Sequence, residues 1–478
     1  MKDFLFTLLI VVNSVSLAYM IGITFTYFLH LLFSGKALGQ YVKYLRFSDY
    51  RRYIDSSNMI PVSLIVPAYN EEATILDTIR NLLKLNYPEY EIIVINDGSK
   101  DQTLPLLIEQ FGMVAIEQPY KRSVASQPIR KVYRTSQHGN LIVIDKENGG
   151  KADALNAGIN FSRYPVIVSM DADSVLEKEA LIRIVAPFLQ DNTVIAVGGV
   201  VRISSGCVIE DGDIKDIRLP KSALGKLQTV EYLRSFFTGR IGAASMGMLL
   251  IISGAFGAFR KEAVIAVGGY TTQCIGEDME LVVKLHRYMK NNGKPYKISF
   301  LPDPICWTQP PDNLRDLYKQ RKRWQIGLIN VLLRHRDMAF NPKYGKTGMI
   351  MLPYYWIFEF IGPVFETLGY FVVPLSWWLG VISWQFALLF FLLVVLVGLI
   401  LSLGAILQES FAMRKFPKMS QILTLAAFAL VDNFGFRQFN TIIRFIGFLK
   451  YRTGKSTWGT LKRQQFTKDA QQPDSKPN

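Results

Sequence analysis

Between Phe4 and Gly35 the chain carries no charged residue. A helix needs roughly 20 apolar residues to cross the hydrocarbon core of a bilayer, so this stretch is long enough. A cleaved leader peptide is the competing reading. The apolar run is too long for one, and no small-residue cleavage pattern follows it. Residues 1–35 are therefore expected to form an N-terminal anchor. Lys36, Lys43, Arg46, Arg51 and Arg52 follow it, against Lys2 before it. That excess makes 36–57 a basic juxtamembrane linker and puts the long middle of the chain on the cytoplasmic side.

Between Lys346 and Glu409 the only charges are Glu359 and Glu366, and 346–409 has room for two more spans. Trp377, Trp378 and Trp384 lie midway, where an outer aromatic belt belongs. "RKFPK" (414–418) then returns the chain inside. Asp432, Asn433, Arg437, Gln438 and Arg444 interrupt the apolar run from Ile422 to Leu449. Segment 410–450 is thus read as interfacial, re-entrant or a further span, and 451–478 as a basic cytoplasmic tail. Glu359 and Glu366, seven residues apart, share a helix face, which suits either a polymer path or helix packing. A multi-pass plasma-membrane protein agrees with a composition that is 50% hydrophobic and 13% aromatic. The net charge of +15 follows from cytoplasmic loops, so membrane lipids rather than nucleic acid are the expected partners. Cys207, Cys274 and Cys306 form no CxxC pair and the four histidines are scattered, so neither a zinc site nor a disulfide framework is indicated.

Residues 58–345 read as one α/β domain with amphipathic elements near its end. "PVSLIVPAYN" is a β-branched run ending in a turn, followed by Ile75, Leu76, Ile79, Leu82 and Leu83 at helical spacing. "EIIVINDGS" and "PVIVSMDADS" repeat the pattern of strand followed by acid. Alternating strands and helices imply a doubly wound, Rossmann-like sheet, which binds ligands beyond the carboxyl ends of its strands. Tyr69–Glu71, Asp97–Ser99 and Asp171–Asp173 all fall at such ends. No GxGxxG follows the first strand and no P-loop occurs. The basic segment 119–140 reads as a solvated insertion, with acceptor or partner binding as the alternative.

In "DAD", Asp171 and Asp173 point to the same side of an extended segment and suit Mg2+ or Mn2+ with phosphates. Gly276, Glu277 and Asp278 open a helical pattern, where the acids fit an N-terminal cap or a general base equally well. "QRKRW" (320–324) looks like a basic run beside a membrane, but on a helix Gln320, Arg323 and Trp324 share one face. Arg321 and Lys322 point elsewhere, towards a membrane surface in this reading.

"PAYNEE", "VINDGS", "GGKADALNAG", "MDADS", "GED" and "QRKRW", in that order, resemble the motifs of membrane-integrated family 2 glycosyltransferases. That family includes cellulose, chitin, hyaluronan and poly-N-acetylglucosamine synthases. The resemblance covers about residues 60–330 and implies a GT-A fold with α-helical transmembrane segments. It also implies metal-dependent sugar transfer from a nucleotide diphosphate with inversion. By this similarity Ala68, Tyr69, Glu71, Asp97, Lys151 and Asp171 would face the nucleotide, and Asp173 with Asp171 the Mg2+ or Mn2+. Asp278 matches the catalytic base and Glu277 its acidic neighbour, while Ser253 and Gly254 line the donor-sugar pocket. Gln320, Arg323 and Trp324 form the QxxRW motif that meets acceptor or diphosphate. Gly-Glu-Asp, where cellulose synthases have Thr-Glu-Asp, is nearer the poly-N-acetylglucosamine type. The expected reaction extends a β-linked polysaccharide from a UDP-sugar such as UDP-GlcNAc, with coupled export and accessory or export subunits as partners. The alternative is a single transfer to a lipid or glycan acceptor.

Overall fold

The computed structural model describes residues 2–47, 59–210, 212–413, 415–416 and 418–451. Arg51 and Arg52 of the linker, Arg414 and the basic tail from 452 onward lie outside them. The chain forms two compact units, one from Gln40–Gly225 and Leu249–Pro310, the other from Met1–Gly39, Lys226–Met248 and Pro311–Thr457.

In the first unit, ten strands make one sheet: β1 (Val62–Ala68), β2 (Tyr90–Asn96), β3 (Val114–Ile116), β4 (Ile129–Arg134), β5 (Leu141–Lys146), β6 (Val166–Met170), β7 (Ser174–Leu176), β8 (Val194–Ile203), β11 (Phe256–Arg260) and β12 (Lys297–Thr308). Between them, β9 (Val208–Glu210) and β10 (Asp213–Asp216) form a separate hairpin. The order across the sheet is β3-β4-β5-β2-β1-β6-β11-β8-β12-β7. Its centre, β5-β2-β1-β6, is parallel, with Leu64 opposite both Ile92 and Val168. Nearly every residue of these strands is buried, which explains why they read as unbroken apolar runs rather than alternating ones. The helix Lys151–Phe161 lies directly on β1, since a Cβ at Gly158 would stand 2.3 Å from Ile65.

The sheet departs from the doubly wound expectation by being mixed. β11 runs antiparallel between β6 and β8, and β3 and β4 run antiparallel at one edge. Antiparallel strands need no helical crossover, and the spacing of apolar residues does not reveal strand direction. The segment 119–140 is more than a solvated insertion. It contributes β4, buries Val124 and Val132, and is fastened by Asn160, whose amide accepts from Ser123 N and Val124 N and donates to Val124 O.

Among the described residues four helices are long and apolar enough to cross a membrane, Phe6–Leu45, Thr347–Trp378, Trp384–Ala412 and Met419–Lys450, the last three lying wholly in the second unit. The first continues past the expected anchor, as part of a helix running Lys2–Phe47. The last breaks at Phe434 and Gly435, where Gly435 takes φ +100°. Its polar residues face partners inside the unit. Asp432 is fully buried between Arg234 (2.8 Å) and Arg437 (2.9 Å). Arg444 binds Glu359 at 2.7 Å and Gln325 at 3.0 Å. Glu366 accepts from Tyr19 (2.9 Å) and Thr441 (3.0 Å). Both acids of the Thr347–Trp378 helix therefore join helices together.

Candidate active site

The site builds from the carboxyl ends of β1, β2 and β6 in the first unit. β1 ends at buried Ala68, and the Tyr69–Glu71 turn after it is locked to the turn after β2. Asn70 N donates to Ser99 Oγ (3.0 Å), Lys100 N to Asn70 Oδ1 (2.8 Å), and Glu71 N to Thr103 Oγ1 (2.8 Å). Asn70 adopts φ 55°, which asparagine tolerates better than most residues. Asp97 follows β2 and is buried. Its Oδ1 accepts from Lys146 Nζ (2.5 Å) and Gly149 N (3.0 Å), and its Oδ2 from Gly150 N (2.7 Å). Asp97 thereby shapes the Gly149–Gly150 turn that starts the Lys151 helix.

Asp171 and Asp173 follow β6. The turn between them is held by the helix Ile75–Leu83, from which Thr74 and Thr78 donate to Ala172 O at 3.2 and 2.8 Å. Asn81 bonds both ways with Leu176, at 2.9 and 2.7 Å. Asp173 is buried and its Oδ1 accepts from Ser174 Oγ and Thr308 Oγ1. Asp171 remains partly open, with 32% of its side chain exposed.

Lys151 connects this turn to the Gly-Glu-Asp motif. Its ammonium pairs with Asp171, lies 3.9 Å from Glu277 and reaches Gly254 O at 3.4 Å. Burial alone would lower its pKa, but Asp171, Glu277 and Asp278 outweigh burial and hold it above its ordinary value. Asp278, in the first turn of the helix Glu277–Asn291, accepts from Met279 N (2.8 Å) through Oδ1 and from Gly254 N (3.2 Å) through Oδ2. His286, two turns along that helix, is buried between Leu249 O (2.8 Å) and Tyr296 Oη (2.7 Å). A carbonyl only accepts, so Nε2 carries the proton and Nδ1 accepts from the tyrosine. The segment Leu249–Gly254 is thus pinned to the helix at both ends, through His286 and Asp278. Ser253, beside Gly254, turns into β11 through Phe256 N to Ser253 O (3.0 Å).

One ammonium thus brings the DAD, GED and SGAFG motifs together, while Tyr69, Glu71 and Asp97 share the interlocked turns alongside. The supporting groups escaped sequence reading. Lys146 is fully buried between Asp97 and Asp153 (2.6 Å), although its position ends an apolar strand. Thr78 and Asn81 were visible only as polar residues on an apolar helix face. Among the described residues no group of three or more His, Cys, Asp or Glu is placed to hold a metal ion. Two carboxylates, one of them accessible, still fit Mg2+ or Mn2+, because such ions commonly take one or two carboxylates and complete their shell with phosphate oxygens and water.

The QRKRW residues belong to the second unit, on the helix Leu314–Arg334. Here the surface role read for Arg321 is corrected. Arg321 is buried, pairs with Glu231 at 2.6 Å, lies 4.2 Å over the Trp324 ring and donates to Gln320 Oε1 at 3.2 Å. Helical spacing gives a residue's face but not which face meets a neighbour. Trp324 keeps 46% exposure, and Lys322 lies over the Tyr318 ring.

The profile described as Glycosyl transferase family 2 matches residues 63–268, and that described as Glycosyl transferase family group 2 matches residues 166–431. The poly-beta-1,6-N-acetyl-D-glucosamine synthase of Staphylococcus aureus (strain COL) is 34% identical over 274 residues, 57% of this chain and 56% of that protein. The synthase of the same name from Staphylococcus epidermidis is 32% identical over 292 residues, 61% of this chain and 60% of that one. The chain therefore spans more than half, but less than two thirds, of the length of these relatives. Among solved structures, the mannosyltransferase PcManGT from Pyrobaculum calidifontis, in complex with GDP-Man and Mn2+, has a TM-score of 0.51 at 18% identity, covering 89% of this chain and 99% of that one. That likeness concerns the fold, which is GT-A. With more than half of its residues inside the second profile match, the chain belongs to glycosyl transferase family group 2.

Proposed function

We propose that the chain transfers a sugar from a UDP-sugar, UDP-GlcNAc by similarity to the staphylococcal synthases, onto a growing β-linked glycan. On this reading transfer takes place at the cytoplasmic face of the plasma membrane and the product leaves through the membrane helices, with accessory or export subunits assisting. The observation that carries the reading is Lys151, between Asp171 and Glu277, beside an Asp278 oriented by Gly254 N. A cation for a leaving group and a carboxylate for a nucleophile thus stand together beyond the ends of the central strands.

An acceptor hydroxyl is a weak nucleophile until a base takes its proton during attack. Asp278 fills that role, its two backbone hydrogen bonds holding the carboxylate towards the acceptor. As the hydroxyl oxygen bonds to the anomeric carbon, the bond to the diphosphate breaks on the opposite face and the configuration inverts. Negative charge then grows on the diphosphate, where the Lys151 ammonium stabilises it. Asp171 and Asp173 would hold Mg2+ or Mn2+, which when bound supplies further positive charge to the leaving group. Tyr69 and Glu71, with Ala68 behind them, flank the nucleoside. Asp97 acts at that end through the turn it shapes, and Ser253 and Gly254 border the donor sugar. Gln320, Arg323 and Trp324 are assigned to the acceptor from their motif, Trp324 being partly exposed although Arg321 lies over its ring.

The test is a panel of UDP-sugars with detergent-solubilised full-length protein and Mg2+ or Mn2+, read by mass analysis of products. A polymer made from UDP-GlcNAc is the expected result. Acceptor carrying only one added sugar at excess donor would replace the processive reading with single transfer.

A further inference from the structure

Lys151 is spent, in the observed arrangement, on a carboxylate assigned above to the metal. Its ammonium is paired with Asp171, with Glu277 3.9 Å away and the Gly254 carbonyl at 3.4 Å. Only 10% of the lysine side chain is exposed. A divalent cation arriving at Asp171 meets a fixed positive charge within contact distance, and two cations this close repel strongly where water is scarce. A nucleoside diphosphate reverses that balance, because its phosphate oxygens offer the ammonium another anionic partner. Gly254 keeps the path open: a Cβ there would stand 2.8 Å from Lys151 Nζ.

We propose that Lys151 makes metal and nucleotide binding interdependent, by holding Asp171 against a divalent cation until a nucleoside diphosphate draws the ammonium onto its phosphates. The inference rests on the proposed metal–diphosphate site and adds an order to its filling. Metal alone binds poorly, metal with nucleotide binds well, and Lys151 is the positioning residue that separates the two cases. By linkage, the same residue makes nucleotide binding depend on metal by an equal factor.

The experiment measures free Mn2+ by its paramagnetic resonance signal during titration of the full-length protein in detergent, with and without UDP. Protein-free UDP controls are subtracted. Wild-type protein is expected to bind Mn2+ weakly alone and at least tenfold more tightly with UDP. Lys151→Met is expected to bind Mn2+ alone about tenfold more tightly than wild type, with the UDP enhancement shrinking correspondingly. Lys151→Arg, which keeps the charge and offers a second folded comparison, should retain the weak metal binding of wild type. Unchanged or weaker binding of Mn2+ alone by Lys151→Met overturns the proposal, as does metal binding by Lys151→Arg that matches Lys151→Met. If wild-type protein binds no Mn2+ even with UDP, the metal–diphosphate site itself is wrong, and the inference falls with it.

Discussion

The two units of this chain both bury acidic residues, and they treat them differently. Around Lys151, three carboxylates (Asp171, Glu277 and Asp278) face a single ammonium, and Asp171 is partly open. Among the membrane helices each of three acids is tied to at least one partner on another segment. Asp432 has Arg234 and Arg437, Glu359 has Arg444 and Tyr354, and Glu366 has Tyr19 and Thr441. An excess of one charge with access to water leaves electrostatic work for a ligand to complete. Acids tied to partners on other segments hold helices together, even though Asp432 Oδ1 has no hydrogen-bond partner of its own. An open excess of acid around one ammonium therefore distinguishes the candidate site from the cross-segment pairing of the joint.

The sharpest break of this comparison is to neutralise one acid on each side. Asp278→Asn should lower sugar transfer by about 10²- to 10⁴-fold, the span of a general base, with UDP binding nearly unchanged. Steady-state rates and a UDP binding isotherm check it, and full residual activity would remove Asp278 from the mechanism. Asp432→Ala acts on the cross-segment pairing and leaves two arginines facing each other. It should cost about 3–5 kcal/mol of stability, read as a lower melting temperature in detergent. A variant that melts like wild type but transfers no sugar would make Asp432 a site residue after all.

His286 extends the comparison to pH. Burial pulls its pKa down to about 4, so the folded protein keeps the ring neutral where the unfolded chain protonates near 6.5. Between those values the unfolded state binds more protons, so stability falls as pH drops from about 6.5 towards 4. At pH 5 the loss from this one group is about 2 kcal/mol relative to pH 7. His286→Gln should therefore narrow the difference between melting temperatures at pH 5 and pH 7. An unaltered difference would assign the acid sensitivity to other groups.

Much of the unit that carries the candidate site was legible because its motifs coincide with strand ends. "SLIVPA" and "VIVSM" announce buried strands, and the acids after them fall where a parallel sheet presents its ligands. What was not legible depends on partners distant in sequence. Lys146 ends an apolar strand and gives no hint of Asp153, and Arg321 reads as surface charge until Glu231 comes opposite it. Strand direction was hidden for a similar reason: β4 and β11 have ordinary strand patterns, and only their neighbours make them antiparallel. In the membrane unit, Asp432 and Arg444, two of the polar residues that made 422–449 ambiguous, have partners on other segments, Arg234 and Glu359.

The smallest expected effect comes from one methyl group added on each side. At Gly254 a Cβ would meet Lys151 Nζ at 2.8 Å, so only the terminal ammonium of that side chain, and no backbone, has to shift. Gly254→Ala should therefore leave the melting temperature within a degree or two while turnover drops roughly tenfold, because the displaced ammonium is no longer placed to meet the leaving diphosphate. At Gly398 a Cβ would stand 2.2 Å from Asn433 Oδ1 and 2.3 Å from an Arg437 guanidinium nitrogen, inside the joint around Asp432. Other atoms of the same two side chains are bonded, Asn433 Nδ2 to Ala429 O and Arg437 Nε and Nη2 to Asp432 and Gly398 O, so moving either side chain aside strains those bonds. Gly398→Ala should cost about 1–3 kcal/mol of stability, as overpacking does, with turnover per folded molecule retained. The same substitution then separates site from joint. The distinction fails if Gly254→Ala loses stability while Gly398→Ala loses only activity.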